Sequence, residues 1–172
     1  RAKVAINEQL SLGVSHINEG RTGGEATLDG VDMSYQFTDQ TKLTVEAAQT
    51  VDHKETDSNK SGAGYVTEIE HQTQRSHSKI YFREQEAEFG LGQTNASENG
   101  LRRMGIETTL NASDHITVKG QAYQQKNTMT DLSREVLEAE GQSKIGQTDL
   151  QLGLRTVNDQ QENSTNNDTN RS

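Results

Sequence analysis

The sequence predicts an all-β protein, an antiparallel up-and-down meander of about ten strands that forms a barrel or barrel-like sheet. Apolar and polar residues alternate with a period of two along most of the chain. Short polar turns alternate with longer polar loops, as expected for a series of hairpins. The 172 residues include no proline, so every backbone amide after the first residue can donate to a long hydrogen-bonded ladder.

The alternation is clearest in three segments. Residues 31–37 read VDMSYQF, residues 43–47 read LTVEA, and residues 150–155 read LQLGLR. Successive side chains of an extended chain point to opposite faces, so each segment is predicted to be a strand with one apolar and one polar face. The same pattern recurs at residues 10–14, 104–110 and 116–119.

The connections between these strands alternate in length. Short turns are predicted at residues 7–9, 38–41, 74–77, 111–114 and 144–147. Longer loops rich in Gly, Asn, Ser and charged residues are predicted at residues 18–24, 53–61, 88–99 and 126–131. The short turns recur about every 32 to 37 residues, within the range of a repeated supersecondary unit. This arrangement places the short turns at one end of the sheet and the long loops at the other.

One segment carries the opposite local signal. Residues 130–141 read TDLSREVLEAEG, with a capping residue, good helix formers and a glycine where a helix would end. Taken alone, the segment favours a helix. The repeat places it where the other units have a strand, and we therefore predict a strand. The domain organisation predicted is a meander over residues 1–157 followed by a polar tail or linker, rich in Asn, Thr and Asp, over residues 158–172.

Composition excludes several classes of protein. A formal net charge of −9 does not provide the basic surface that nucleic acid requires. The absence of cysteine excludes a disulfide scaffold, a thiolate zinc site and cysteine catalysis. No apolar run approaches the length of a membrane helix, and no apolar core of a signal peptide is present. The first residue is Arg1, which leads us to expect a piece of a longer polypeptide.

Few residues suggest chemistry. Glu84, Glu86 and Glu88 share one parity and would form an acid–base pair or a calcium site if they converged, but a solvated strand end is the favoured interpretation. The five histidines lack the spacing of a zinc protease. We predict no catalytic residues, no cofactor-binding residues, no cofactor, no metal site and no enzymatic activity.

Two further groups are interpreted as structural. Arg83, Arg102 and Arg103 are expected to pair with carboxylates on neighbouring strands. The glycine pairs at residues 62 and 64 and at residues 90 and 92 lack the strand and helix of a phosphate-binding loop, and are expected to permit a tight loop or a bulge.

One stretch resembles a known family. Residues 81–103, YFREQEAEFGLGQTNASENGLRR, are followed by MGIETTLNASDHITVKGQAY. This resembles a hairpin from the repetitive β-barrel region of very large outer-membrane surface proteins of Gram-negative bacteria. The resemblance is strongest over residues 81–124 and weaker over residues 25–51 and 135–157. It implies a barrel, or a section of one, at the cell surface, and it carries no catalytic residues.

Two functions are therefore expected, both at the outer membrane or outside a Gram-negative cell. The first is a section of the β-barrel of a large outer-membrane protein, with membrane lipid as a partner. Its lipid face would include Val31, Met33, Tyr35, Phe37, Leu43, Val45, Ile116, Val118, Leu150, Leu152 and Leu154. The alternative is a self-assembling extracellular β-filament or biofilm-matrix subunit of functional-amyloid type. In either case strands pair with copies of the chain or with the rest of a longer chain. An enzyme or ligand carrier is least favoured, because it needs convergent polar groups in a pocket.

Overall fold

The computed structural model describes residues 1–21, 24–54, 59–91, 99–146 and 148–161. In these ranges ten strands form one antiparallel sheet, in which each strand pairs with the next along the chain. The first and last strands do not pair with each other, so the sheet is open. The predicted all-β meander is confirmed, and the described residues contain no helix.

The strand bounds are β1 Ala2–Ala5, β2 Leu10–Arg21, β3 Gly24–Thr38, β4 Thr41–Lys54, β5 Lys60–Gln72, β6 Ser76–Gln85, β7 Leu101–Ser113, β8 Ile116–Asn127, β9 Leu132–Ile145 and β10 Thr148–Gln161. Apart from the four-residue β1, the strands have between 10 and 15 residues. Strands β1 and β10 form the two edges of the described sheet. One edge is therefore short, with four residues, and the other is long, with 14 residues.

Polar side chains close the short turns. The Asn7 side-chain oxygen accepts hydrogen bonds from the amides of Gln9 and Leu10, at 2.9 and 2.8 Å. The Thr73 hydroxyl oxygen accepts them from the amides of Arg75 and Ser76. Short polar side chains favour turns because they satisfy backbone donors that the strand ladder leaves free.

Residues 132–141 of the segment at 130–141 are extended, as the repeat predicts, and form most of β9, whereas Thr130 and Asp131 precede the strand. The loop predicted at residues 18–24 is wrong at residues 18–21 and 24, whereas residues 22 and 23 lie outside the described residues. Strand β2 continues through Arg21, and its residues Asn18 and Glu19 pair with Thr27 and Ala26 of β3. A neighbouring strand supplies ladder hydrogen bonds that outweigh the weak local strand propensity of Asn, Glu and Gly.

The end of the sheet also differs from the predicted domain boundary. Strand β10 passes residue 157 and continues to Gln161. Residues 162–172 of the predicted tail lie outside the described residues.

The sheet has two chemically distinct faces, which follow from the register because directly paired residues share a face. One face, here called the belt face, carries the alternating apolar side chains. The opposite face, here called the ion-pair face, carries most of the charged pairs between strands. Fewer than one-tenth of the surface of Ala26, Thr50, Tyr81 and Val136 is exposed, and all four lie on the ion-pair face.

Candidate functional site

The belt face presents a continuous band of apolar side chains from β2 to β10, here called the belt. Many of these side chains are substantially exposed, and Leu152 and Leu154 reach 74% and 76%. The belt comprises Leu10, Leu12, Val14, Val31, Met33, Tyr35, Leu43, Val45, Ala47, Ile69, Ile80, Phe82, Met104, Ile106, Leu110, Ile116, Val118, Leu137, Leu150, Leu152 and Leu154. An apolar band of this extent, uncovered by the rest of the described chain, indicates an interaction surface.

The belt runs obliquely across the strands. On β2 it is centred on Leu12, and on β10 it is centred on Leu152. The row of directly paired residues that starts at Leu12 ends at Asn158 on β10. On β10 the centre of the belt, Leu152, lies six residues before Asn158, which is the residue level with Leu12. The belt therefore shifts by six residues over the eight strand spacings between β2 and β10. A shift of about 20 Å over a width of about 38 Å gives a slant of about 28° relative to the hydrogen-bonding direction.

The ion-pair face has a ladder of opposite charges across its centre. Lys79 of β6 lies between Glu70 and Glu107 in the register, and its ammonium group is 3.4 Å from the Glu107 carboxylate. Arg155 is 3.6 Å from Glu138. Opposite charges on adjacent strands stabilise a sheet modestly and fix its register.

At the loop end of the same face, Arg134 donates two hydrogen bonds to the Asp159 carboxylate, at 2.7 and 2.9 Å. This interaction lowers the pKa of Asp159 below its ordinary value, and burial opposes the shift only in part. Asp159 is seven residues past Leu152 and lies outside the belt.

Two tyrosines enclose a glycine on the ion-pair face. Gly105 pairs with Tyr81 on one side and with Tyr123 on the other. A β-carbon on Gly105 would lie 2.7 Å from the Tyr123 β-carbon and 2.9 Å from the Tyr81 hydroxyl oxygen. The guanidinium of Arg103 stacks on the Tyr123 ring, 3.7 Å from its centroid. Because Gly105 has no side chain, the side chains of Tyr81 and Tyr123 can occupy the space beside it.

A cleft of about 370 Å³ opens on this face beside Arg103. Its charged lining residues are Glu46, Arg83, Glu84 and Arg103, and its apolar lining includes Val66, Phe89 and Leu101. The sequence did not predict it, because its lining comes from strands β4 to β8 and from the segment after β6. Arg83 and Arg103 are nevertheless visible in sequence as basic residues on one parity of predicted strands.

The loop segment after β6 folds back onto the sheet to form one wall of the cleft. The Phe89 ring covers Gly64, where a β-carbon would lie 2.7 Å from a ring carbon. The Thr50 hydroxyl accepts a hydrogen bond from the amide of Gly90 and donates to the carbonyl of Glu88. Gly62 and Gly64 lie in regular pairing within β5, so their expected role in a loop or bulge is wrong. They admit the returning loop instead.

Glu84, Glu86 and Glu88, considered in the sequence as an acid–base pair or calcium site, do not converge. Arg102 donates two hydrogen bonds to the Glu84 carboxylate. The Glu86 carboxylate accepts one from a backbone amide of β5, and Glu88 pairs with Lys60. Each carboxylate has a separate partner, and the described part of the chain contains no group of three side chains placed to hold a metal ion.

The expected arginine pairs form in two cases out of three. Arg83 pairs with Glu68, and Arg102 pairs with Glu84. Arg103 is the exception, because within the described ranges no carboxylate lies within 4.0 Å of its guanidinium. It lies directly opposite Arg83 and stacks on an aromatic ring instead.

No protein-family model matches the chain, and no curated protein or solved structure is detectably similar to it. Among the residues with described positions, none belongs to a helix long and apolar enough to cross a membrane. The chain is therefore classified by its own geometry, as an open, ten-stranded antiparallel meander with one apolar and one ion-paired face.

Proposed function

We propose that this chain is a section of the wall of an outer-membrane β-barrel, part of a large surface protein of a Gram-negative bacterium. The belt faces lipid, and the ion-pair face lines the interior. Its role is structural rather than enzymatic. The slant of the belt is the observation that carries the proposal.

A slanted belt is the pattern that a membrane imposes on tilted strands. The hydrocarbon layer is horizontal, whereas the strands of an outer-membrane barrel lean by about 35–45° from the membrane normal. The lipid-facing residues must therefore shift from one strand to the next, always in the same direction. The slant of about 28° corresponds to a lean slightly below this range. Strands β2 to β10 also meet the length of about 9–11 residues that a membrane crossing needs.

The interior face fits the same proposal. Charged side chains are expensive against lipid but are tolerated in the lumen of a barrel. The ion-pair face holds its charges in cross-strand pairs, such as Lys79 with Glu107 and Arg155 with Glu138. The resemblance of residues 81–124 to hairpins of large surface barrels supports this assignment independently of the geometry.

The second candidate is the extracellular β-filament, which one observation favours. All 14 residues of β10 are exposed, and one edge of this strand has no partner strand within the described ranges. Such an edge is a template for pairing with another chain. In a stacked fibre, however, the apolar seam follows the hydrogen-bonding direction, because identical side chains stack along that direction. The slant of the belt favours the barrel over the fibre.

The experiment uses single-cysteine variants, which are unambiguous because the chain has no cysteine. Ile106→Cys places a bimane label on the belt face of β7, and the control Thr109→Cys places it on the ion-pair face of the same strand. The full chain is reconstituted into vesicles whose acyl chains carry bromine.

We expect bromine to quench the label at position 106 much more strongly than the label at position 109. Equal quenching at the two positions, or a chain that stays in the aqueous fraction, would contradict the barrel proposal. A filament is expected to sediment without lipid and to show strand spacings of about 4.7–4.9 Å along its axis.

A further inference from the structure

Beyond its role as a barrel wall, we propose that the cleft on the ion-pair face binds a small monovalent carboxylate with an apolar body, and that Arg103 holds the carboxylate. The cleft lies on the face opposite the belt. Its occupation is therefore independent of whether the belt contacts lipid.

The positive charge of Arg103 has no nearby negative partner among the described residues. In the part of the chain that the structure describes, this guanidinium has no carboxylate within 4.0 Å. Its Nε is buried and has no hydrogen-bond partner among the described residues. A buried polar group without a partner is uncommon in proteins and points to an absent water, ion or ligand. The Tyr123 ring stabilises the cation through its face but accepts no conventional hydrogen bond from it.

Two arginines, Arg83 and Arg103, concentrate positive charge at one end of the cleft. Arg83 and Arg103 are direct cross-strand partners, and like charges in this position repel each other. Arg83 is partly neutralised by Glu68, Glu84 pairs with Arg102, and none of the described carboxylates pairs with Arg103. A carboxylate in the cleft would supply that missing negative charge. A guanidinium is well suited to this role because its planar N–H groups match the two oxygens of a carboxylate.

The shape and lining of the cleft define the rest of the ligand. The volume of about 370 Å³ is at the lower end of the range for small-molecule sites. Val66, Phe89 and Leu101 contribute apolar surface, which favours a ligand with an apolar body. Glu46 lies in the same row, three strands away from Arg103, at about 14 Å. Its negative charge disfavours a second carboxylate at that end, which is why we specify a monovalent anion.

The test compares benzoate with benzamide, a neutral molecule of nearly the same shape, by calorimetric titration of the full chain in detergent. We expect benzoate to bind at least about tenfold more tightly than benzamide, because only the anion neutralises the Arg103 charge and offers two carboxylate oxygens to the guanidinium. Equal affinities, or no binding of benzoate, would overturn the proposal. This comparison uses the unsubstituted chain, so no folding defect affects it.

Three variants assign the binding to this cleft. Arg103→Gln is expected to weaken benzoate binding by at least about tenfold. Glu46→Gln is expected to strengthen it by about two- to fivefold, because a repulsive charge about 14 Å away is removed. The control Arg155→Gln removes a cation of the same face that lies outside the cleft, and benzoate affinity should not change.

An unchanged affinity in Arg103→Gln, or an equal loss in Arg155→Gln, would refute the assignment and leave Arg103 with a structural role only. Because the first two variants move affinity in opposite directions, general loss of structure does not reproduce the pattern. Failure of benzoate binding leaves the lipid-quenching result unaffected, and the reverse also holds.

Discussion

The stability of the Leu152→Arg variant distinguishes a belt that faces lipid from a belt that faces water. Leu152 lies at the centre of the belt on β10 and is 74% exposed, so the protein covers only about a quarter of it. Full burial of a leucine side chain is worth about 1.5–3 kcal/mol, and losing a quarter of it costs about 0.4–0.8 kcal/mol. If this face lies in water, Leu152→Arg should lower the free energy of unfolding by no more than that amount.

If this face lies in a bilayer, the loss in free energy of unfolding expected for Leu152→Arg is several times larger. An arginine on the lipid face of a barrel costs about 2–4 kcal/mol near the midplane. We therefore predict that Leu152→Arg destabilises the vesicle-reconstituted chain by about 2–4 kcal/mol. The assay is equilibrium guanidinium unfolding in lipid vesicles, followed by far-ultraviolet circular dichroism.

The matched control is Gln151→Arg, one residue away on the opposite face of the same strand. Its effect should stay within about 0.5 kcal/mol, because Gln151 lies on an exposed strand and an arginine there can still donate to the Glu140 carboxylate that Gln151 contacts. A loss below about 1 kcal/mol for Leu152→Arg, or equal losses for the two variants, would refute the assignment of this face to lipid.

Two other predictions concern the ion-pair face. Gly105→Ala should destabilise the chain by about 1–3 kcal/mol, because the new methyl group overlaps the two flanking tyrosines. Gly153→Ala, whose new β-carbon would meet its nearest atom at 3.7 Å, should change stability by less than about 0.5 kcal/mol. Similar urea midpoints for these two variants would contradict the packing described. The lowered pKa of Asp159 implies that its pairing with Arg134 stabilises the fold above the ordinary aspartate pKa of about 3.9, and that this contribution disappears as the pH falls through the lower, folded-state pKa. Asp159→Asn should therefore flatten the pH dependence of stability in acid, and an unchanged acid slope would show that the pair does not contribute.

The limits of sequence reasoning are clearest at residues 130–141 and 18–21. Both segments have local compositions that disfavour a strand, yet residues 132–141 and 18–21 are extended in the structure. The first was predicted correctly because the repeat supplied information from outside the segment. The second was predicted to be a loop because only local composition was used. Long-range hydrogen bonding decided both, since strand propensity depends strongly on tertiary context.

Arg103 shows the same limit for individual contacts. Its charge suggested a carboxylate partner on a neighbouring strand. The register instead placed Arg83 opposite it and Tyr123 beside it. Pairing partners come from strands that are distant in sequence, and a one-residue change in register would move every side chain to the other face. The cleft, which depends on several strands and a returning loop, was therefore not predictable.

Sequence alone predicted most of the extended segments and divided the side chains of each segment between two faces, because side chains alternate by geometry along any strand. It thus defined the apolar residues of the belt, including Leu150, Leu152 and Leu154. Only the tertiary structure decided how those strands are aligned with one another. The slant of the belt and the location of Arg103 beside a cleft both follow from that alignment, since the register is a relation between strands and no single strand contains it.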